Sequence, residues 1–294
     1  LGSAGVSVHT AHRIATPDGF ETALPVGLPD AVAFGAPDRV ATAEVRTDAV
    51  AAPRVLSVRV WDVRTGGPQH AEVAEPQGLA IDQLALDSDE GWVAARIRSR
   101  VVVWSTADGT RRVEHDGVQP SVRGLLPVGS GGRIVSAMGD GTVHLWRPEP
   151  ALETLILPTG DVTALSLDPT GTRLAVGIRG PRHAAVQTWN TQSGGKICAA
   201  LPDVEGHVVW VACADGARRV AALLRRSGAN EVYVWDGIFG VTLARLRSAV
   251  PLSALALSGD GARLVVGARD GGAGLWRLDA LDDDEVTDLV WPAS

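Results

Sequence analysis

Lysine is all but missing from this chain. Lys196 is the single lysine among 27 basic residues, the rest being arginine. Cysteine is scarce too, and two cysteines (Cys198 and Cys213) cannot build a disulfide framework. On the strand reading below they fall on an outer strand of one repeat and the inner strand of the next, so no bond between them is expected. That suits a reducing compartment, and a cytoplasmic location is the expectation. No run approaches the roughly 18–20 apolar residues of a membrane span. No leader segment of charged then apolar residues opens the chain. Residue 1 is Leu rather than Met, so further sequence upstream is expected. A dominant basic surface is also lacking: 34 acidic residues outnumber the basic ones, the net charge is −7 and the pI is near 5.5. A general nucleic-acid binder needs the opposite balance to displace counterions from phosphate, so nucleic acid is not the expected partner. The preference for Arg over Lys, with much Ala, Gly and Val, points to a GC-rich bacterial genome.

Tryptophan, by contrast, is plentiful, and six of the nine are evenly spaced. Trp61, Trp104, Trp146, Trp189, Trp235 and Trp276 lie 43, 42, 43, 46 and 41 residues apart, by subtraction of their numbers. A period of about 40–45 residues with four strands per unit is the signature of a β-propeller blade. The repeat ending at Trp189 shows the frame. Residues 162–167 alternate and meet the turn Asp168-Pro169-Thr170-Gly171. Residues 173–177 read as the second strand, 185–189 as the third and 196–201 as the fourth. First strands are also expected at 31–34, 81–86, 122–127, 207–213 and 252–257. Second strands are expected at 39–45, 91–96, 133–137, 219–224 and 263–268. Helical periodicity is absent, so the expected class is all-β, four-stranded antiparallel blades forming a single domain. Repeats are placed at 27–76, 77–118, 119–158, 159–205, 206–248 and 249–294, after a partial repeat at 1–26. In that partial repeat 5–14 is read as a third strand and 20–26 as a fourth. At the other end, residues 286–289 echo the first-strand residues 162–165 and could open a further blade, while spacing from Trp276 favours 285–291 as the fourth strand of the last repeat. Six complete units and one partial give an expectation of seven blades in a monomeric propeller.

The repeats resemble the WD-repeat family. Asp140-Gly141-Thr142-Val143-His144-Leu145-Trp146 is the best match, followed by Asp270 to Trp276, and Trp61-Asp62 and Trp235-Asp236 supply the naming dipeptide. Gly206-His207 matches the Gly-His that opens a family repeat. The resemblance implies a hydrogen-bond network between His207 and an Asp six residues before the Trp. That Asp is present as Asp140 and Asp270, but Val55, Arg98, His183 and Ala229 stand there in other repeats, and the Gly-His repeat lacks it. The resemblance also implies a rigid scaffold that presents loops to a protein or peptide.

Nothing in the sequence converges as a catalytic or metal site would. The histidines (His9, His12, His70, His115, His144, His183, His207) occupy different strand positions, and His9 and His12 face opposite sides of a strand. Asp282-Asp283-Asp284-Glu285 lacks the interleaved glycine of a calcium loop and reads as a solvated connector. No nucleophile elbow or phosphate-binding glycine loop occurs. No catalytic residue, metal or cofactor is therefore assigned. Arginines are the better signal. The loops between second and third strands carry Arg46 and Arg54, Arg98 and Arg100, Arg179 and Arg182, Arg225 and Arg226, and Arg269. Such a set could grip the carboxylates of an acidic partner through bidentate bonds; equally, these could be solvated arginines offset by neighbouring loop acids. Trp92, off the repeat position at the start of a second strand, is a candidate contact, with burial between blades as the competing role. The expected function is a non-catalytic interaction scaffold or sensor, the C-terminal part of a larger bacterial regulatory protein. The alternative is a propeller enzyme, such as a hydrolase, lactonase or quinoprotein-like dehydrogenase with its site in the central channel. It is disfavoured because the first strands carry mostly Ala, Leu, Val and Ser.

Overall fold

Alternating apolar and polar residues, broken by Gly- and Asp-rich turns, give strands almost throughout this computed structural model. It describes residues 7–10, 13–15, 21–23, 31–34, 39–46, 55–62, 64–65, 67, 73–75, 81–87, 91–98, 100–115, 122–128, 132–148, 155–180, 183–226, 229–279, 281 and 286–291. Their contacts divide the chain into two compact units. The first takes the described residues up to Met138 together with residues 144–148; the second takes Gly139–Val143 and the described residues from Leu155 onward.

The first unit opens with β1 (Ser7–Thr10), β2 (Arg13–Ala15) and β3 (Glu21–Ala23), a three-stranded meander. The third strand expected over 5–14 is thus two strands, β1 and β2, which pair antiparallel with each other, Thr10 opposite Arg13. Next come β4 (Ala31–Phe34), β5 (Arg39–Arg46), β6 (Val55–Asp62) and β7 (Val73–Glu75), paired in sequence order. The same order joins β8 (Gln83–Asp87), β9 (Trp92–Ile97), β10 (Arg100–Ser105) and β11 (Arg111–His115). Then β12 (Val122–Val128), β13 (Arg133–Met138) and β14 (Thr142–Trp146) lie side by side, and the division between the units falls within β14. First strands pack on first strands, β8 on β4 and β12 on β8, enclosing Leu84, Leu86, Val93, Ile97 and Trp104 in one cluster and Trp92, Leu125, Ile134, Met138 and Trp146 in another. Each such fully buried side chain contributes about 1.5–3 kcal/mol by leaving water.

The second unit begins with β15 (Leu155–Pro158). Its first sheet is β16 (Asp161–Leu167), β17 (Arg173–Arg179), β18 (His183–Asn190) and β19 (Lys196–Glu205). A second meander holds β20 (His207–Ala214), β21 (Arg219–Arg226), β22 (Ala229–Trp235) and β23 (Thr242–Ser248), with one 3₁₀ turn at Asp215–Ala217. A third holds β24 (Leu252–Leu257), β25 (Arg263–Ala268) and β26 (Ala273–Arg277). Again β20 packs on β16 and β17, and β24 on β20 and β21. Each first strand carries a one-residue bulge near its start, between Val162 and Ala164, Val208 and Trp210, and Leu252 and Ala254. Bulges of this kind bend and twist a strand locally. The turns into the second strands need a left-handed residue, which Gly171 (φ 69°) and Gly261 (φ 72°) supply without a Cβ clash.

The last strand departs from expectation. Spacing assigns residues 285–291 to the fourth strand of the sixth repeat. Instead β27 (Thr287–Leu289) runs parallel to β23, pairing Ala244 with Thr287, Arg245 with Asp288 and Leu246 with Leu289. The spacing from Trp276 fixes how far the segment lies along the chain but not which edge it joins. That edge is chosen by chemistry: Leu289 and Trp291 find the apolar cluster around Leu246, Leu252 and Leu264, and Asp288 finds Arg245. Among the described residues, β24–β26 therefore remains three-stranded.

Candidate functional site

The repeat tryptophans are structural. Trp61, Trp104, Trp146, Trp189 and Trp235 are each at most 5% exposed. What the indole N–H bonds to depends on the second strand. Trp61 stands opposite Val40 and donates to Thr42 Oγ1, two residues on, at 2.8 Å. Trp146 donates to Ser136 Oγ at 3.1 Å. Trp235 stands opposite Val220, so the matching residue is Ala222, and its buried Nε1 has no partner. Trp189 turns to Gln187 Oε1 in its own strand, and Trp276 to the Val290 carbonyl, both at 3.1 Å. The two family-type aspartates brace their own turns. Asp140 Oδ1 accepts from Thr142 N and Oγ1 (3.0 and 2.7 Å), and Asp270 Oδ1 from Gly272 N (2.9 Å). His207 is exposed.

Trp92 requires a correction as a surface contact. It is 1% exposed, packed among Ala94, Val101, Val122, Leu125 and Ile134. As the first residue of β9, paired with Asp87, it faces the sheet that β12 brings against β8 and β9. A partner cannot reach it without unfolding that layer.

The arginines divide by chemistry. In the first unit, Arg98 is exposed at the β9–β10 turn in the left-handed region (φ 57°), its carbonyl accepting from Arg96 Nη1 at 3.3 Å. Arg100, half-buried, begins β10. In the second unit, three successive sheets place arginine at the end of the second strand: Arg179 on β17, Arg225 and Arg226 on β21, and Arg269 just past β25. Arg179, Arg225 and Arg269 are exposed. Arg179 reaches Asp161 only loosely, at 3.9 Å, and an exposed pair of this kind is worth about 0–1 kcal/mol. Arg226 is different. Its Nη1 lies 3.1 Å from Glu231 Oε2, on a carboxylate 5% exposed that also accepts from Tyr233 Oη at 2.8 Å and faces Arg247 Nε at 3.4 Å. Burial, and then its bond to Glu231, push the Tyr233 phenol up. Arg226 is thus the counter-ion of a buried acid. Arg182 lies outside the described residues.

Two features escape the sequence reading. His183 and His207 are exposed at the same end of these sheets, His207 directly opposite Arg225; in the sequence they look scattered because one begins a third strand and the other a first strand. Phe239 is the second. The β22–β23 turn is held by Asp236, whose Oδ1 accepts from Ile238 N and Phe239 N (2.7 and 2.9 Å) and whose N–H reaches Val241 O (2.9 Å). On it Phe239 is 79% exposed. Among the described residues no group of three or more His, Cys, Asp or Glu could hold a metal ion, and no helix is long and apolar enough to cross a membrane.

No protein-family profile matches the sequence. Over 142 residues, 46% of this chain, it is 29% identical to telomerase protein component 1 of Rattus norvegicus, and that match spans 5% of the relative's length. Among solved structures it is similar to Kluyvelomyces marxianus Hsv2 (TM-score 0.61, 11% identity, covering 85% of this chain and 72% of the other). It is similar also to a chain of the mitotic checkpoint complex (0.63, 14%, 92% and 85%) and to the Myceliophteria thermophila Cps50 (Swd1) beta-propeller domain (0.62, 14%, 90% and 91%). These are WD40 β-propellers. At such identities they establish the fold alone, and its class is the expected one: nearly all-β, with many antiparallel four-stranded sheets and β-propeller neighbours.

Proposed function

We propose that this protein is a non-catalytic interaction scaffold, the regulatory part of a larger bacterial cytoplasmic protein, and that the arginine-bearing end of its second unit takes an acidic stretch of a partner protein. The observation that carries the reading is the recurrence of exposed Arg179, Arg225 and Arg269 at equivalent ends of three successive sheets, beside exposed His183 and His207. Guanidinium groups suit carboxylates because their planar fork offers paired donors. Glu231, the acid beside this end of β21, is buried and already engaged by Arg226 and Arg247. The first-unit counterparts Arg98 and Arg100 are a second, smaller set.

The test uses a fluorescent oligoglutamate peptide and the full chain. Binding is expected to weaken with salt and to be lost on Arg225→Glu with Arg269→Glu, while thermal stability stays unchanged. Unaltered binding in that variant removes the proposal. Stoichiometric metal in the purified protein, by elemental analysis, would favour a propeller enzyme instead.

A further inference from the structure

We propose that the outer edge of β23 is a second binding surface, a groove for an extended acidic–apolar peptide strand, which β27 occupies from within the chain. β23 spans Thr242–Ser248, yet β27 pairs only with Ala244, Arg245 and Leu246. Among the described residues no other strand uses that edge, and the outer strands β11 and β19 carry no fifth strand at all. The groove reads side chains as well as backbone. Arg245 directs Nε and Nη2 at Asp288 Oδ1 (3.1 and 2.9 Å). One residue on, Leu289 enters the apolar cluster with Leu246 and Leu252. Two further on, the Trp291 ring lies 5.8 Å from that of Trp276, whose N–H donates to the Val290 carbonyl. Val286 and Val290 face solvent, 47% and 79% exposed. The pattern accepted is therefore Asp-Leu-x-Trp in an extended strand added parallel to the edge, the geometry of β-augmentation.

The resident strand is short and leaves most of the outer edge of β23 unpaired. It makes three residue pairs, an ion pair whose carboxylate side chain is 71% exposed, and the contacts of Leu289 and Trp291. Its covalent attachment adds to these contacts, since a short linker gives an effective concentration of order millimolar. A partner segment with the same pattern and enough length to pair with the rest of β23 competes for the groove.

The probe is a labelled peptide with the sequence of residues 284–293, read by fluorescence anisotropy against the full chain. Asp288→Arg in the chain turns the resident strand against Arg245 and leaves the peptide its aspartate. That variant is expected to bind the peptide about tenfold more tightly than the parent, as its tethered competitor is removed. The peptide carrying Arg in place of its Asp288 should bind both hosts more weakly than the parent peptide, and should regain affinity on a chain with Arg245→Asp. Asp288 is exposed, so folding is retained, which a thermal melt checks. Equal binding by parent and Asp288→Arg, or none in the millimolar range, overturns the proposal. A parent chain that dimerises with concentration and is returned to monomer by the peptide also overturns it, since the occupant would then be a second copy.

Discussion

Two sheets of the second unit carry nearly the same second strand: Arg173-Leu174-Ala175-Val176-Gly177 in β17 and Arg263-Leu264-Val265-Val266-Gly267 in β25. Their surroundings differ entirely. A Cβ on Gly177 would lie 2.5 Å from Val208 Cγ1, on the first strand of the next sheet. Ala175 and the paired Thr188 are 0% exposed, and Thr188 Oγ1 donates to the Gly237 carbonyl of that next sheet at 2.6 Å. In β25, Gly267 meets only Ala254 and Ser253 of its own sheet, while Val265 is 42% and its partner Leu275 63% exposed. The comparison teaches that the repeat encodes a sheet with two faces meant for burial. Whether a face is buried depends on the neighbouring sheet, as nearest-neighbour stabilisation in repeat proteins requires.

Substitutions can press on that contrast. The largest effect is expected at the glycines. Gly177→Ala forces Val208 aside and should cost about 2–3 kcal/mol in chemical denaturation, whereas Gly267→Ala, with its nearest contact at an ordinary 3.4 Å, should stay within about 0.5 kcal/mol. Equal losses would show that the two faces are alike after all. Next, Thr188→Val leaves the Gly237 carbonyl without its buried donor and should cost about 1–2 kcal/mol; Leu275→Thr at the matching position should be close to neutral.

Smaller effects read single groups. In the β24–β25 turn, the Ser258 hydroxyl and then the Ala262 N–H hold the Asp260 carboxyl below its usual range. Because the folded value is the lower one, this stabilisation is complete above the ordinary carboxylate range and fades as acid protonates the group. Ser258→Ala should move the Asp260 titration, followed by NMR, back toward 3.8, and an unmoved titration would deny the bond. The thiols report on coverage. Burial pushes both up, Cys213 far more than Cys198. Disulfide reagents at mildly alkaline pH should modify Cys198 slowly and Cys213 only on unfolding; rapid modification of Cys213 would mean that the β20 layer opens.

Strand positions were largely legible because they rest on local alternation and turn chemistry: Ala31–Phe34, Leu252–Leu257 and Arg263–Ala268 fall where the pattern places them. What was illegible depends on partners distant in sequence. Trp92 looks like an exposed strand opener until β12 covers it. Arg226 looks like Arg225 until Glu231, five residues on, is found buried beneath it. The β27 segment matches a fourth strand by spacing, and only the Arg245–Asp288 contact shows whose edge it joins. Phe239 gave no signal, since a turn residue adds nothing to a periodic pattern.

The turns themselves have a consequence of another kind. Asp62, Asn190 and Asp236 each accept two backbone N–H bonds on one side-chain oxygen and close with an N–H to the carbonyl five residues on. The tips they carry are Arg64-Thr65, Gln192-Ser193 and Ile238-Phe239, so one frame tolerates charged, polar and aromatic pairs alike. Its geometry is written by the first residue, with a left-handed glycine at 194 and 240 (φ 70° and 74°), and its content by the pair at the tip. The scaffold can thus exchange its outermost chemistry at the exposed tip positions, Arg64, Thr65, Gln192, Ser193 and Phe239, and a fluorophore placed at one of them is expected to leave the strands in place.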